Sequence, residues 1–246
     1  MGTMNELDRR VTEAVAHFWK TRTAQARKQE KSGKSDQGAR AAVTGGAQMD
    51  GFIGLVTNLI VDAGMPKAAI FYNQHLELPG FFRPTKEWDL LVVREGQLVV
   101  ALEVKSQVGP SFGNNFNNRT EEAMGTALDL WTAYEEGAFN KSIRPWLGYL
   151  FLLEDCKASR TSVKVSEPHF KVFPEFKTAS YATRYEFFCR KLMRKRHYDG
   201  TAFLMADSAT GIKGKYSEPA EDLTFQSFAR SLTGHISTYS GKRGAT

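Results

Sequence analysis

With 246 residues, 41% of them hydrophobic and 12% aromatic, the chain can bury a full core as one large domain, and its two cysteines, Cys156 and Cys189, fit neither a zinc spacing nor a disulfide framework. No apolar stretch approaches membrane-spanning length and the first residues lack the apolar run of a signal peptide, so a soluble cytoplasmic protein is expected. The net charge of +6 fits a polyanionic partner without specifying one.

Leu7, Val11, Ala14, Val15, Phe18 and Trp19 recur at helical spacing and predict an amphipathic helix over 5–28. The stretch 31–46, rich in Lys, Gly, Ser and Gln, reads as a mobile loop that could order on a partner. A second helix is predicted over 50–63, with Phe52, Ile53, Val56, Leu59 and Ile60 inward and Gly64 and Pro66 as its stop. A strand over 68–73 and a hairpin over 88–105 follow, then a loop over 106–118 and a helix over 119–136 ended by Gly137. Asn118 looks like the N-cap of that helix, because Glu121 stands three residues on, as in a capping box. The continuous apolar run 146–153 suggests a buried strand. An irregular stretch then leads into a helix over 181–197 with Tyr185, Phe188, Leu192 and Met193 as its spine. A short strand over 201–206 and a terminal helix marked by Phe225, Phe228, Leu232 and Ile236 complete the chain. This order implies an α/β fold, a mixed β-sheet flanked by α-helices. As one domain, it divides into a helical N-terminal extension (1–46), a core (47–206) and a C-terminal helical segment (207–246).

The hairpin carries the chemistry. Asp89 precedes a Gly96 turn, and Glu103, Val104 and Lys105 follow it. Two carboxylates suit a hard cation such as Mg²⁺, which takes oxygen ligands and completes its shell with water and phosphate oxygens. A lysine two residues after Glu103 shares its strand face and can orient water or stabilise developing negative charge. In a regular strand, Leu98, Val100, Leu102 and Val104 form an apolar face, and Val99, Ala101, Glu103 and Lys105 the other. A three-residue Arg94-Glu95-Gly96 loop would set Val93 against Gln97 and Asp89 against Ala101, diagonal to Glu103 at about 7–8 Å. A two-residue Glu95-Gly96 turn would oppose Asp89 to Leu102, on the wrong face, so this reading requires an odd loop. An acid-x-lysine triplet arises by chance roughly once or twice in such a chain, and Asp155-Cys156-Lys157 and Glu175-Phe176-Lys177 are decoys without an upstream acid on a paired strand. The plain alternative for Glu103 and Lys105 is a surface ion pair on a solvated strand face. Asp50 either caps its helix or serves as an auxiliary metal acid.

Gln107, Ser111, Asn114, Asn115, Asn117 and Arg119 crowd just after the triplet. Amides pair bidentately with adenine and Arg with guanine, so such a loop could read bases, although Asn and Gly also form turns for their own reasons. Lys86, just before Asp89, is a further candidate DNA contact. Two basic clusters, from Lys20 through Arg22, Arg27, Lys28, Lys31 and Lys34 to Arg40, and Arg190, Lys191, Arg194, Lys195, Arg196 with His197, could neutralise phosphates or be solvated faces.

The blocks FRPTKEWDLLVV, LEVKSQVGPSFGNNFNN and PHFKVFPEFKTASYATRYEFFCRKL resemble the XhoI family of type II restriction endonucleases over about 49–204. The resemblance implies the restriction-endonuclease-like PD-(D/E)XK fold and Mg²⁺-dependent cleavage of double-stranded DNA. It further implies the palindrome CTCGAG, cut after the first C to leave a 5′ TCGA overhang, in a bacterial cytoplasm beside a cognate DNA methyltransferase as functional partner. By the motif, Asp89, Glu103 and Lys105 are the catalytic trio, with Asp89, Glu103 and the Val104 backbone carbonyl on the metal. Trp88 stands where the superfamily often has Pro. A palindromic target cut on both strands implies a homodimer. A structure-specific repair nuclease on the same core and a non-catalytic basic DNA-binding protein are the competing readings.

Overall fold

The computed structural model describes residues 5–32, 46–140 and 142–240. Its helices are α1 (Glu6–Ser32), α2 (Asp50–Asp62), α3 (Phe112–Glu135), α4 (Lys157–Arg160), α5 (Tyr181–Arg194), α6 (Ser208–Gly211) and α7 (Phe225–Ser240). Its strands are β1 (Ile70–Phe71), β2 (Glu77–Pro79), β3 (Thr85–Glu87), β4 (Leu90–Arg94), β5 (Gln97–Gln107), β6 (Trp146–Glu154) and β7 (Gly200–Ala206). Five strands form the main sheet in the order β1-β4-β5-β6-β7. β1, β4 and β5 pair antiparallel, and β5, β6 and β7 run parallel. The parallel half follows from chain order, since α3 and α5 are the crossovers that parallel strands require.

Two apolar clusters sandwich the sheet. On one face Val11, Val15, Phe18 and Trp19 of α1, Phe52, Val56 and Ile60 of α2 and Phe228, Leu232 and Ile236 of α7 pack on Val100, Leu102 and Leu150. On the other, Ala123, Ala127 and Leu130 of α3 and Tyr185, Cys189 and Leu192 of α5 cover Ala101, Tyr149, Phe151 and Phe203. β6 and β7 are buried on both faces, which is why they read as unbroken apolar runs rather than alternating ones. The N-terminal helix is therefore part of the core layer and not an appendage to it. Trp146 fits only because Gly148 and Gly200 lie beneath its indole, where an added Cβ would approach the ring to 2.3 and 2.5 Å.

The predicted elements stand with several corrections. The loop expected over 106–118 does not exist as such: β5 runs to Gln107 and α3 starts at Phe112. Asn118 is thus inside α3 and caps nothing. Phe112 and Phe116, one helical turn apart, anchor this first stretch on Tyr181 (5.8 Å) and Tyr185 (4.9 Å), and this packing overrides the poor helix propensity of Gly113 and the asparagines. The strand over 68–73 shrinks to Ile70–Phe71 after a short helical turn, and α5 stops at Arg194 rather than His197. A small β2–β3 hairpin appears where no element was predicted. The loop over 31–46 lies, apart from its ends, outside the described residues, as do Lys34 and Arg40. Among the described residues, no helix is long and apolar enough to cross a membrane.

Candidate active site

The turn between β4 and β5 sets the site. Glu95 and Gly96 have φ of 54° and 73° and Arg94 pairs with Gln97, a two-residue type I′ turn. The expected three-residue loop is thus corrected. By itself the shorter turn would turn Asp89 to the wrong face, but β5 carries one extra residue. Val93 pairs with Leu98 and Val92 with Val100, which leaves Val99 as a bulge. Beyond it Leu91 meets Ala101 and Leu90 meets Leu102, so Asp89 comes level with Glu103. The bulge also moves Leu98 to the face of Leu91 and Ala101, away from Val100. Its backbone is satisfied by side chains: the Leu98 N–H donates to Ser142 Oγ (3.0 Å), and His235 Nε2–H donates to the Val99 carbonyl (3.1 Å).

Asp89 Oδ2 accepts from the Val104 N–H and from Lys105 Nζ, each at 2.7 Å. Glu103 is only 3% exposed. One of its oxygens is paired with Lys86 and the other with Lys105, so the Lys105 ammonium bridges both acids. Burial would raise the Glu103 pKa, yet the two lysines outweigh it and hold the carboxyl below its ordinary value. Asp89 goes the other way: burial and then the neighbouring Glu103 charge raise its pKa, with Lys105 and the Val104 N–H opposing them incompletely. Burial alone would lower the Lys105 pKa, but both acids raise it and keep the ammonium charged. Two carboxylates of opposite tendency and a bridging cation on facing strands are not a solvated surface pair.

Trp88, in place of the superfamily's Pro, has a structural reason. Its N–H donates to the Leu76 carbonyl (2.9 Å), a bond that Pro cannot make. Its buried ring also lies 4.5 Å from Lys86 Nζ, which seats that ammonium beside Glu103.

Above Glu103 and Lys105 opens a groove of about 720 Å³ between the β2–β3 hairpin and α3, lined by Phe82, Arg83, Lys86, Glu103, Lys105, Arg119, Glu122, Thr126 and Asp129, among others. Of the expected DNA contacts, Lys86 and Arg119 reach this groove. Asn114 and Asn117 are exposed and Asn115 is half-buried in the first turns of α3, and Ser111 is exposed just before it. Gln107 is different: it is 2% exposed, with its side-chain carbonyl accepting from the Tyr185 hydroxyl inside the core. Asp50 is exposed in the first turn of α2, where its charge complements the helix dipole. In the second basic cluster, Arg190 is held by Asp222 at 2.7 and 2.8 Å. Sequence reasoning missed Glu122, Thr126 and Asp129. With Arg119 they recur at three- and four-residue intervals, a polar stripe on one side of α3 that was available as a signal.

A mixed sheet with helices on both faces, bearing an acid opposite an acid-x-lysine triplet at the floor of an open groove, defines a restriction-endonuclease-like nuclease core. The family model described as restriction endonuclease XhoI matches residues 28–218. The chain is 54% identical over 212 residues to the type II restriction enzyme BstVI of Geobacillus stearothermophilus, covering 84% of this chain and 94% of that one. It is 49% identical over 192 residues to the type II restriction enzyme XhoI of Xanthomonas vasicola, covering 77% of each. It is 53% identical over 167 residues to the type II restriction enzyme AbrI of Azospirillum brasilense, covering 68% of this chain and 75% of that one. No solved structure matches the chain significantly. The chain belongs to the XhoI restriction endonuclease family and is a site-specific deoxyribonuclease acting on double-stranded DNA.

Proposed function

We propose that the chain cuts both strands of the palindrome CTCGAG after the first C, leaving a 5′ TCGA overhang with 5′-phosphate and 3′-hydroxyl ends. The observation that carries the reaction is the Lys105 ammonium set between Asp89 and Glu103 at the floor of the groove. The target sequence rests on the likeness to the XhoI family.

Asp89 and Glu103, with the Val104 backbone carbonyl, are the residues that would hold Mg²⁺. They fit it, because the set is oxygen-only and contains two carboxylates, of which Glu103 lines the groove and Asp89 is partly exposed. When bound, the ion neutralises charge on the phosphoryl group and lowers the pKa of its water. Lys105, kept protonated by both acids, donates to the water or phosphoryl oxygen where negative charge develops. Lys86 and Arg119 supply positive charge along the groove for the backbone flanking the cut. The asparagines at the start of α3 face the same DNA, with Asn114 and Asn117 exposed to reach base edges. The working form is a homodimer, and a cognate methyltransferase would protect host sites.

The test is incubation of DNA of known sequence with and without Mg²⁺, comparing wild type with Glu103→Ala and mapping the ends. Discrete fragments with the stated overhang are expected from the wild type with Mg²⁺, and none from the variant. Cleavage without metal, or full activity of Glu103→Ala, would overturn the mechanism. Fragments ending at another sequence would replace only the target assignment.

A further inference from the structure

The five-residue turn joining β2 to β3, from Gly80 to Pro84, presents two phenyl rings to solvent. Phe81 is 53% and Phe82 66% exposed. They contact each other edge to face, with centroids 5.2 Å apart. The chain that carries these rings is fixed by hydrogen bonds. The Phe81 and Phe82 N–H groups both donate to Asp129 Oδ1 at 2.8 Å, and Arg83 Nε donates to Asp129 Oδ2 at 2.7 Å. Asp129 itself is 4% exposed on α3. Gly80 is obligatory, since a Cβ there would meet Asp129 Oδ2 at 2.4 Å. A buried carboxylate thus holds the turn against the helix through charge-assisted bonds, while the rings it positions contribute no core packing.

Phe82 lines the same groove as Glu103 and Lys105, together with the cations Arg83, Lys86 and Arg119 and the acids Glu87, Glu121, Glu122 and Asp129. A phenyl ring offers a phosphate nothing. What it matches in a nucleic acid is the flat face of a base, which is accessible where a step is partly unstacked. A rigid aromatic among ion-paired side chains at the mouth of a phosphodiester-cleaving site therefore has one natural partner, the base step beside the phosphate being cut.

We propose that Phe82, backed by Phe81, is a wedge that packs against bases at the step adjoining the scissile phosphate and holds the duplex bent into the groove. This rests on the nuclease reading above and goes beyond it. The wedge would favour target steps that unstack readily, giving selectivity at positions that no hydrogen bond reads.

Cleavage kinetics of wild type, Phe82→Ala and Phe82→Trp decide this on two substrates: an intact target duplex, and the same duplex with a single abasic position at the step beside the cut. On intact DNA, Phe82→Ala should lose about ten- to hundredfold in kcat/KM relative to wild type, and Phe82→Trp should retain most activity. On the pre-opened duplex the ratio of wild type to Phe82→Ala should fall to about threefold or less. The wedge is overturned if Phe82→Ala matches wild type on intact DNA. It is equally overturned if the loss is the same on both substrates, or if Phe82→Trp is as impaired as Phe82→Ala. If the wild type cuts neither duplex with Mg²⁺ present, it is the target or metal assignment of the proposed function that fails.

Discussion

A buried carboxylate is costly unless cations and hydrogen bonds compensate it, and leaving one uncompensated destabilises by about 3–5 kcal/mol. Glu103 shows the compensation complete, with one lysine on each oxygen. The charges were legible in the sequence as a triplet; the second lysine was legible only as a possible DNA contact, because a residue 17 positions upstream of Glu103 reaches it only through the small β2–β3 hairpin. Trp88 belongs to the same device. It gives Lys86 a ring to rest on and ties the segment to Leu76 through its N–H. Restoring the superfamily's proline should therefore harm this chain. Trp88→Pro removes a large buried side chain and a backbone bond together, so a loss of about 3–5 kcal/mol in denaturant unfolding is expected, with Trp88→Phe closer to wild type. Equal stability of Trp88→Pro and wild type would contradict the role given to this residue.

At the scale of elements, the long apolar runs of β6 and β7 and the spines of α1, α2, α5 and α7 were readable because periodicity reports burial directly. The β4–β5 register was not. Strand alternation put Glu103 and Lys105 on one face correctly, and the requirement that Asp89 join them was sound. The odd residue, however, sits in the strand as Val99 rather than in the loop. No local pattern announces such a bulge, since its stabilising partners, Ser142 and His235, come from elsewhere in the chain. His235 makes it testable. Burial lowers the imidazole pKa below its ordinary 6.5, with Arg144 helping and the Val99 carbonyl and Asp199 opposing. A depressed value means that the unfolded chain binds the proton more tightly. The contribution of neutral His235 is thus present above that ordinary value and lost as pH falls through it towards the folded pKa. Thermal unfolding followed from about pH 7.5 down to about pH 5 should show this decline in the wild type and a shallower one in His235→Gln. Gln still donates to Val99 but does not titrate. Identical pH slopes would remove His235 from the account of the bulge.

For the molecule as a whole, the palindrome proposed as the target has two equivalent scissile bonds, and the described residues carry one trio of Asp89, Glu103 and Lys105. Glu103 and Lys105 lie at one groove, between the β2–β3 hairpin and the middle of α3. A single groove engages one strand. Two copies related by a two-fold axis present two grooves with the symmetry of a palindrome, and each cuts one strand. A monomer would instead have to release, turn and rebind between cuts. Nicked DNA would then accumulate in solution before linear product appears. The homodimer predicts two observations together. Sedimentation at working concentration should give twice the monomer mass, with the target duplex adding to that dimer rather than to a monomer. In a plasmid time course, the nicked circle should stay a minor species throughout. Monomer mass both with and without DNA, combined with a nicked circle that builds up before linearisation, would overturn the dimer while leaving the chemistry of Asp89, Glu103 and Lys105 intact.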